Sequence, residues 1–205
     1  LKAKELIEDG MLGELFTIRG RYGHGGRVGY DKEWRAKPEI SGGGVLLDLG
    51  THLIDLSLWY FGESFSQVYG DTKTHYWDMP VEDNAYLTLK ANSGKIAHLH
   101  VTWTEWRNLF SLEITGHKGK LHIEGLGGSY GTERLTFYQM MPEMGPPETM
   151  IWEWPGPDLS WKTEWNYFLK EIDSSKNSCT PGLRSTQEVL GVIETVYQQN
   201  NSENS

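Results

Sequence analysis

Apolar residues recur along this chain with a spacing that switches between helical and extended, and each switch marks an element. Leu1 to Asp9 reads as a helix. Leu6 and Ile7 are its apolar residues, Gly10 is its stop, and no Ser, Thr, Asp or Asn caps its start. Glu14 to His24 reads as a strand, with Phe16, Ile18 and Tyr22 on one face and Thr17, Arg19 and Arg21 on the other. From Gly43 to Phe61 the spacing turns helical through Val45, Leu49, Leu53, Leu56 and Tyr60, with Gly62 closing the run. The middle of the chain alternates again. Ala85, Leu87 and Leu89 form one apolar row, and Ala97, Leu99, Val101 and Trp103 a second, joined through an Asn92-Ser93-Gly94 turn. Phe110, Leu112 and Ile114 continue to a turn at Gly116-His117-Lys118-Gly119, followed by strands at 121–123 and 135–138.

Residues 142–158 hold five prolines and read as a long surface connection. Two closing helices are predicted. The first carries a stripe of Trp161, Trp165, Phe168, Leu169 and Ile172, which reads as core. The second opens at Ser185-Thr186-Gln187-Glu188, a capping-box spacing, and carries Val189, Val192, Ile193, Val196 and Tyr197. The order predicts an α+β fold: a largely antiparallel, open-faced sheet with helices packed on one face. Three segments are expected. Residues 1–13 are a helical lead-in that starts without a cap, 14–198 form the α+β domain, and 199–205 are a polar tail.

Composition narrows the function. Among 205 residues the formal net charge is −9, which argues against a phosphate-tracking nucleic-acid binder. No apolar run is long enough to read as a membrane span. The single cysteine, Cys179, has no internal partner, so a reducing cytoplasm is the expected setting. Cys179 itself reads as a bystander. Nine tryptophans are more than a chain of this length ordinarily carries.

The densest chemistry lies in Ser41-Gly42-Gly43-Gly44-Val45-Leu46-Leu47-Asp48-Leu49-Gly50-Thr51-His52-Leu53-Ile54-Asp55. On a helix, Asp48 and His52 share one face. A carboxylate beside an imidazole is a basis for proton transfer near neutrality, and equally an ordinary surface ion pair. The glycines leave the helix start open to a ligand or to another backbone. Arg27, Trp34, Arg35 and Lys37 precede that start and suit an anionic or sugar-like ligand, or a loop pinned by its own tryptophan. Trp106 and Asn108 lie between two strands and could reach the same pocket. His98 and His100 share a strand face without an evident third ligand, so no metal site is expected. Trp152 and Trp154 could cover an apolar surface or a neighbouring subunit.

The run Gly-Gly-Gly-Val-Leu-Leu-Asp-Leu-Gly-Thr-His-Leu-Ile-Asp-Leu resembles the signature helix of the glucose–fructose oxidoreductase / inositol dehydrogenase (Gfo/Idh/MocA) family. Gly13-Glu14-Leu15, Val81-Glu82-Asp83-Asn84-Ala85 and Val192 to Tyr197 extend the resemblance over nearly the whole chain. The family's Rossmann domain has no counterpart. Gly23-His24-Gly25-Gly26-Arg27-Val28 and Gly125-Leu126-Gly127-Gly128-Ser129-Tyr130 both fail the Gly-x-Gly-x-x-Gly pattern at its sixth position. The resemblance therefore implies the substrate-side half of an NAD(P)-dependent oxidoreductase, with residues 1–13 ending a helix that leads from an absent N-terminal cofactor domain and 14–198 forming the substrate-side domain. It would act on a secondary alcohol of a sugar, cyclitol or sugar derivative. Asp48 and His52 would be catalytic, Arg27, Trp34, Arg35, Trp106 and Asn108 substrate-binding, and Asp55 structural. NAD or NADP would bind the intact protein and not this fragment, which is expected to be inactive alone. Its partners would be its own Rossmann domain, a small sugar-like substrate and a second copy through the open sheet face, with no nucleic acid and no membrane. The alternative is a non-catalytic module that dimerises or interacts through the sheet.

Overall fold

The sheet is organised around its first strand. In the computed structural model, which describes residues 1–173 and 183–203, helix α1 (Lys2–Glu8) leads into β1 (Leu15–Gly23). Two 3-10 turns and the single-turn helix α2 (Pro38–Ser41) follow. A wide π-helical turn over Leu46–Gly50 then continues into α3 (Thr51–Phe61). The remaining strands are β2 (Phe65–Lys73), β3 (Asn84–Ala91), β4 (Ile96–Thr102), β5 (Leu109–Gly116), β6 (Lys120–Glu124), β7 (Glu133–Gln139) and β8 (Glu148–Trp154). Helices α4 (Ser160–Asp173) and α5 (Leu183–Glu203) close the chain. The strand order is β2-β3-β4-β1-β5-β6-β7-β8, so β1 lies inside the sheet. It pairs in parallel with β4, and every other neighbouring pair is antiparallel. The α+β expectation, with an open-faced and largely antiparallel sheet, holds.

Register explains which face is covered. One row across the sheet runs Leu89, Ala97, Ile18, Ile114, Leu121 and Phe137, all buried. Leu53, Ile54 and Leu58 of α3, with Val189, Val192, Ile193 and Val196 of α5, join the same core. The opposite rows are polar. Arg19 lies between His98 and Glu113, and Arg21 between His100 and Ser111.

Several expectations are corrected. Phe16 is 42 % exposed, because a register shift between Leu15 and Thr17 turns it away and buries Leu15 instead. β2 has no clear signal in the sequence: it is a polar edge strand carrying Ser66, Gln67 and Asp71. The proline-rich stretch is not all connection. Pro147 and Pro155 bracket β8, whose proline-free run pairs with β7 at the far edge and turns Met150 and Trp152 toward the core. Trp154 remains exposed. The stripe of α4 is not core either: Trp161 is 79 % and Trp165 60 % exposed, with Phe168, Leu169 and Ile172 also outward. Its amphipathic pattern is real, but pattern alone does not say what covers it. Helix α5 begins at Leu183, so Ser185 lies in its first turn rather than at its cap, and Glu188 accepts from the Ser64 hydroxyl (2.8 Å). Cys179 lies outside the described residues.

Residues 199–203, expected as a polar tail, extend α5. The amides of Gln199 and Asn200 meet the outer backbone of β2. Gln199 donates to Val68 O (2.8 Å) and accepts from Gly70 N (3.2 Å), while Asn200 donates to Gly70 O (3.0 Å) and accepts from Thr72 N (3.0 Å). These side chains stand where a further strand would otherwise pair.

Candidate active site

The parallel neighbours β1 and β4 end together, with Gly23 opposite Thr102. The next residues, His24 and Trp103, therefore emerge side by side, their rings stacked at 6.5 Å and 28°. The His24 amide donates to Thr102 O (3.1 Å) and extends the pairing by one step. Trp103 is fully buried, and its indole Nε1 donates to Oδ2 of Asp48 (3.3 Å). Arg35 approaches the other carboxylate oxygen at 3.8 Å, with its guanidinium 4.5 Å over the Trp34 ring. Trp34, Arg35, Ser41, Leu47, Asp48 and Trp103 enclose a cleft of about 210 Å³.

The glycine run is fixed from beneath. The buried Glu82 carboxylate accepts from Gly44 N (3.1 Å), Leu46 N (3.0 Å) and the Tyr197 hydroxyl (2.8 Å), while its own carbonyl accepts from Val45 N (3.0 Å). A Cβ on Gly44 would stand 2.2 Å from that carbonyl oxygen, so only glycine allows the approach. Burial raises the Glu82 carboxyl above its ordinary range, and the donors around it pull the other way. Its neighbour Asp83 accepts from the amides of His75 (2.8 Å), Tyr76 (2.8 Å) and Trp77 (3.0 Å) and from Asn84 Nδ2 (3.0 Å). Burial opposes the charge on Asp83, but these four donors prevail and hold its carboxyl below the usual value. The Asp83 carbonyl also accepts from Trp103 N (2.8 Å). Residues 82 and 83 thus tie the start of the signature helix to the end of β4.

Asp48 and His52 are placed differently than helical spacing suggests. The π-helical turn intervenes, and among the described residues they form no hydrogen bond or ion pair with each other. Asp48 is taken by Trp103 and Arg35. Exposed His52 has its ring 6.0 Å from that of Tyr22 and acts electrostatically on Asp55. Asp55 is half-buried, and that burial raises its carboxyl.

The other expected ligand residues divide. Trp34 and Arg35 line the cleft. Arg27 is exposed and paired with Glu33 (2.8 Å), outside the cleft lining. Trp106 is exposed, takes a left-handed φ of 57° and sets its ring edge-on to Tyr76 at 4.7 Å. Asn108 donates to the carbonyl of Ser129 (3.1 Å). Lys37 is exposed and outside the cleft lining.

Four residues near Asp48 went unread in the sequence: Tyr22, His24, Tyr30 and Tyr130. Each has a titration influenced by the Asp48 charge. Burial, then Asp48, raises the phenol of Tyr30; burial and Tyr130, with Asp48 behind them, raise that of Tyr22. Burial lowers His24, and Arg35 adds to this against the pull of Asp48. Its Nδ1 accepts from Gly26 N (3.0 Å), so the neutral ring carries its proton on Nε2. Only knowledge that β1 and β4 run in parallel could have brought His24 beside Trp103.

Residues 1–122 match the family model for the GFO/IDH/MocA C-terminal domain. The chain belongs to this family. Levoglucosan dehydrogenase of Pseudarthrobacter phenanthrenivorans is 33 % identical to this GFO/IDH/MocA chain over 97 residues, 45 % of this chain and 25 % of that protein. Glucose-fructose oxidoreductase domain-containing protein 1 of Mus musculus is 34 % identical over 74 residues, 36 % of this chain and 19 % of that protein. Among solved structures, aldose-aldose oxidoreductase from Caulobacter crescentus complexed with glycerol superposes with a TM-score of 0.80 at 23 % identity. That match takes in 98 % of this chain and 58 % of the other. Levoglucosan dehydrogenase in complex with NADH and levoglucosan gives 0.75 at 20 %, over 97 % and 60 %. These superpositions establish the GFO/IDH/MocA fold here. The chain spans less than two thirds of each of these relatives.

The family implies a nicotinamide dinucleotide. The described residues contain no strand–glycine loop–helix unit of the kind that cradles one, since the only parallel strand pair, β1–β4, is separated by α3, β2 and β3. What this chain offers is the cleft beside Asp48.

Proposed function

We propose that this chain is the substrate-side, catalytic half of an NAD(P)-dependent oxidoreductase acting on a secondary alcohol of a sugar, cyclitol or related polyol. It is inactive without a Rossmann domain to carry the dinucleotide. The observation that carries this reading is the Asp48 carboxylate at an open cleft, held by a buried indole and approached by Arg35, with His24 and Tyr30 packed on that indole. Such a wall offers hydroxyl-binding groups of both polarities and a carboxylate to orient a substrate hydroxyl. His52, on the exposed side next to Tyr22, takes the hydroxyl proton. Asp48 aligns the substrate, and Trp34 and Arg35 pack against it. A nicotinamide carried by the Rossmann domain would supply the hydride acceptor. The names of the relatives, sugar oxidoreductases among them, support the substrate class. The reading includes a cytoplasmic setting, supported by the single cysteine; no helix among the described residues is long and apolar enough to cross a membrane.

The test is His52→Ala in the full-length gene product. Turnover falls by about 10²-fold or more if His52 is the base; a near-normal rate removes it from the mechanism.

A second copy is proposed on the open sheet face. Arg19, Arg21, Tyr69, Tyr86, His98 and His100 line a shallow concavity there of about 750 Å³, with Tyr69 59 % and Tyr86 41 % exposed. Sedimentation should show a dimer or larger species, and a monomer at high concentration would count against it.

A further inference from the structure

The loop between β6 and β7, residues 125–132, packs its one aromatic residue against Tyr22, on the side of the site that carries His52. Gly125, Gly127, Gly128 and Gly131 all take positive φ, so the backbone folds back on itself, and Gly128 bridges to Gly131. Tyr130 is half-buried, its ring edge-on to Tyr22 at 5.3 Å and 64°, and each phenol influences the other's titration. Tyr22 in turn stands edge-on to His52. Tyr130 therefore stands one ring away from His52, with Tyr22 between them, and its titration feels the charge of Asp48.

The loop is anchored at three points. Gly125 N donates to Phe110 O (3.2 Å), Gly127 N to Glu133 Oε1 (2.9 Å), and Asn108 Nδ2 to Ser129 O (3.1 Å), the carbonyl just before Tyr130. Asn108 thus reaches the site through the loop.

We propose that Tyr130 is a specificity-determining residue for a neutral polyhydroxylated substrate and that Asn108 is the positioning residue that presents it. This rests on the assignment of Asp48 and His52 above. A phenol can donate to one substrate hydroxyl and accept from another, and it carries no charge to attract a phosphate or carboxylate. Interactions of this kind are made equally in the ground and transition states, so their loss raises KM and leaves kcat in place.

The experiment compares the full-length enzyme with its Tyr130→Phe, Asn108→Ala and His52→Ala variants, using D-glucose and myo-inositol as probes. The expected result is a KM raised about tenfold in Tyr130→Phe and in Asn108→Ala with kcat within twofold, while His52→Ala loses turnover. Unchanged KM in both variants, with His52→Ala inactive, overturns the role of Tyr130 and leaves the catalytic assignment standing. If His52→Ala stays active or neither probe turns over, the catalytic assignment fails. The role of Tyr130 is then decided by fluorine NMR of the 3-fluorotyrosine-labelled full-length protein, with the Tyr130 signal identified by its loss in Tyr130→Phe. Movement of that signal on adding either probe supports the role, and a signal fixed through saturation with both overturns it.

Discussion

Tyr197, near the end of the last helix, donates its hydroxyl to Glu82 at 2.8 Å, on the same carboxylate oxygen that holds the amides of Gly44 and Leu46. The distal helix therefore helps set where the signature helix begins. Tyr197→Phe removes a hydrogen bond to a buried acid and should cost about 2 kcal/mol in urea denaturation. Gly44→Ala should cost about 3 kcal/mol or more, because its Cβ meets the Glu82 backbone, which cannot move aside as a flexible side chain can. Equal stability of wild type and Tyr197→Phe would show that the contact is incidental.

Asp83 and Glu82 are sequence neighbours with opposite shifts, and the signs give opposite pH dependence. The Asp83 carboxyl is held below its ordinary value. Its stabilisation is fully present above the unfolded value of about 3.9 and is lost as pH falls through the lower folded value. Glu82 is raised, so its contribution is fully present below the unfolded value of about 4.3 and fades as pH rises through the higher folded value. Asp83→Asn should destabilise by about 2–3 kcal/mol at pH 7. Its difference from wild type should shrink as pH falls below about 4. A pH-independent difference in a denaturation series would contradict the assignment.

Trp103 orients the Asp48 carboxylate through one indole N–H. Trp103→Phe keeps the aromatic wall and deletes the donor. In the full-length enzyme kcat should fall about tenfold with KM nearly unchanged, since a misaligned group is felt mostly at the transition state. Melting temperatures measured alongside would separate this from loss of packing at a fully buried site.

Gln199 and Asn200 close the outer edge of β2 with four hydrogen bonds. The double change Gln199→Ala, Asn200→Ala should cost about 2 kcal/mol and lower Tm by roughly 4–8 °C. It should also increase concentration-dependent association, because an unprotected edge pairs readily with another chain. Light scattering on the heated variant checks this, and unchanged Tm and scattering would show the edge needs no such cover.

Much of this was legible in the sequence because local rules decided it. The alternation of Leu87 with Thr88 and of Leu99 with His98 and His100, split by Asn92-Ser93-Gly94, gave the β3–β4 hairpin. The glycine run and Asp48 marked the candidate site, and the structure shows a cleft beside them. What escaped reading depends on contacts far apart in sequence. β2 is held in place by β3 and α5, not by its own composition. Proline content masked β8, because the count over 142–158 hides the proline-free run inside it. The Asp48–His52 pair assumed ordinary helical winding, and a π-helical turn cannot be read from side-chain periodicity. The stripe on α4 was read as buried because amphipathicity reports a need for cover and not its supply.

The place of β1 in the sheet bears on how the chain reaches this structure. β1 is the earliest strand, yet its parallel partner is β4, with Thr17 opposite Ile96. The strands β2 to β4 and β5 to β8 are each joined to the next by antiparallel neighbours and can assemble locally. β1 is the seam between these two groups, and it closes only after a long stretch of chain is in place. Non-local pairing of this kind puts the loop-closure entropy ahead of the contacts that offset it, which places folding among slow, millisecond-to-second processes. Until that seam closes, His24 and Trp103 do not meet, so the site cannot form before it.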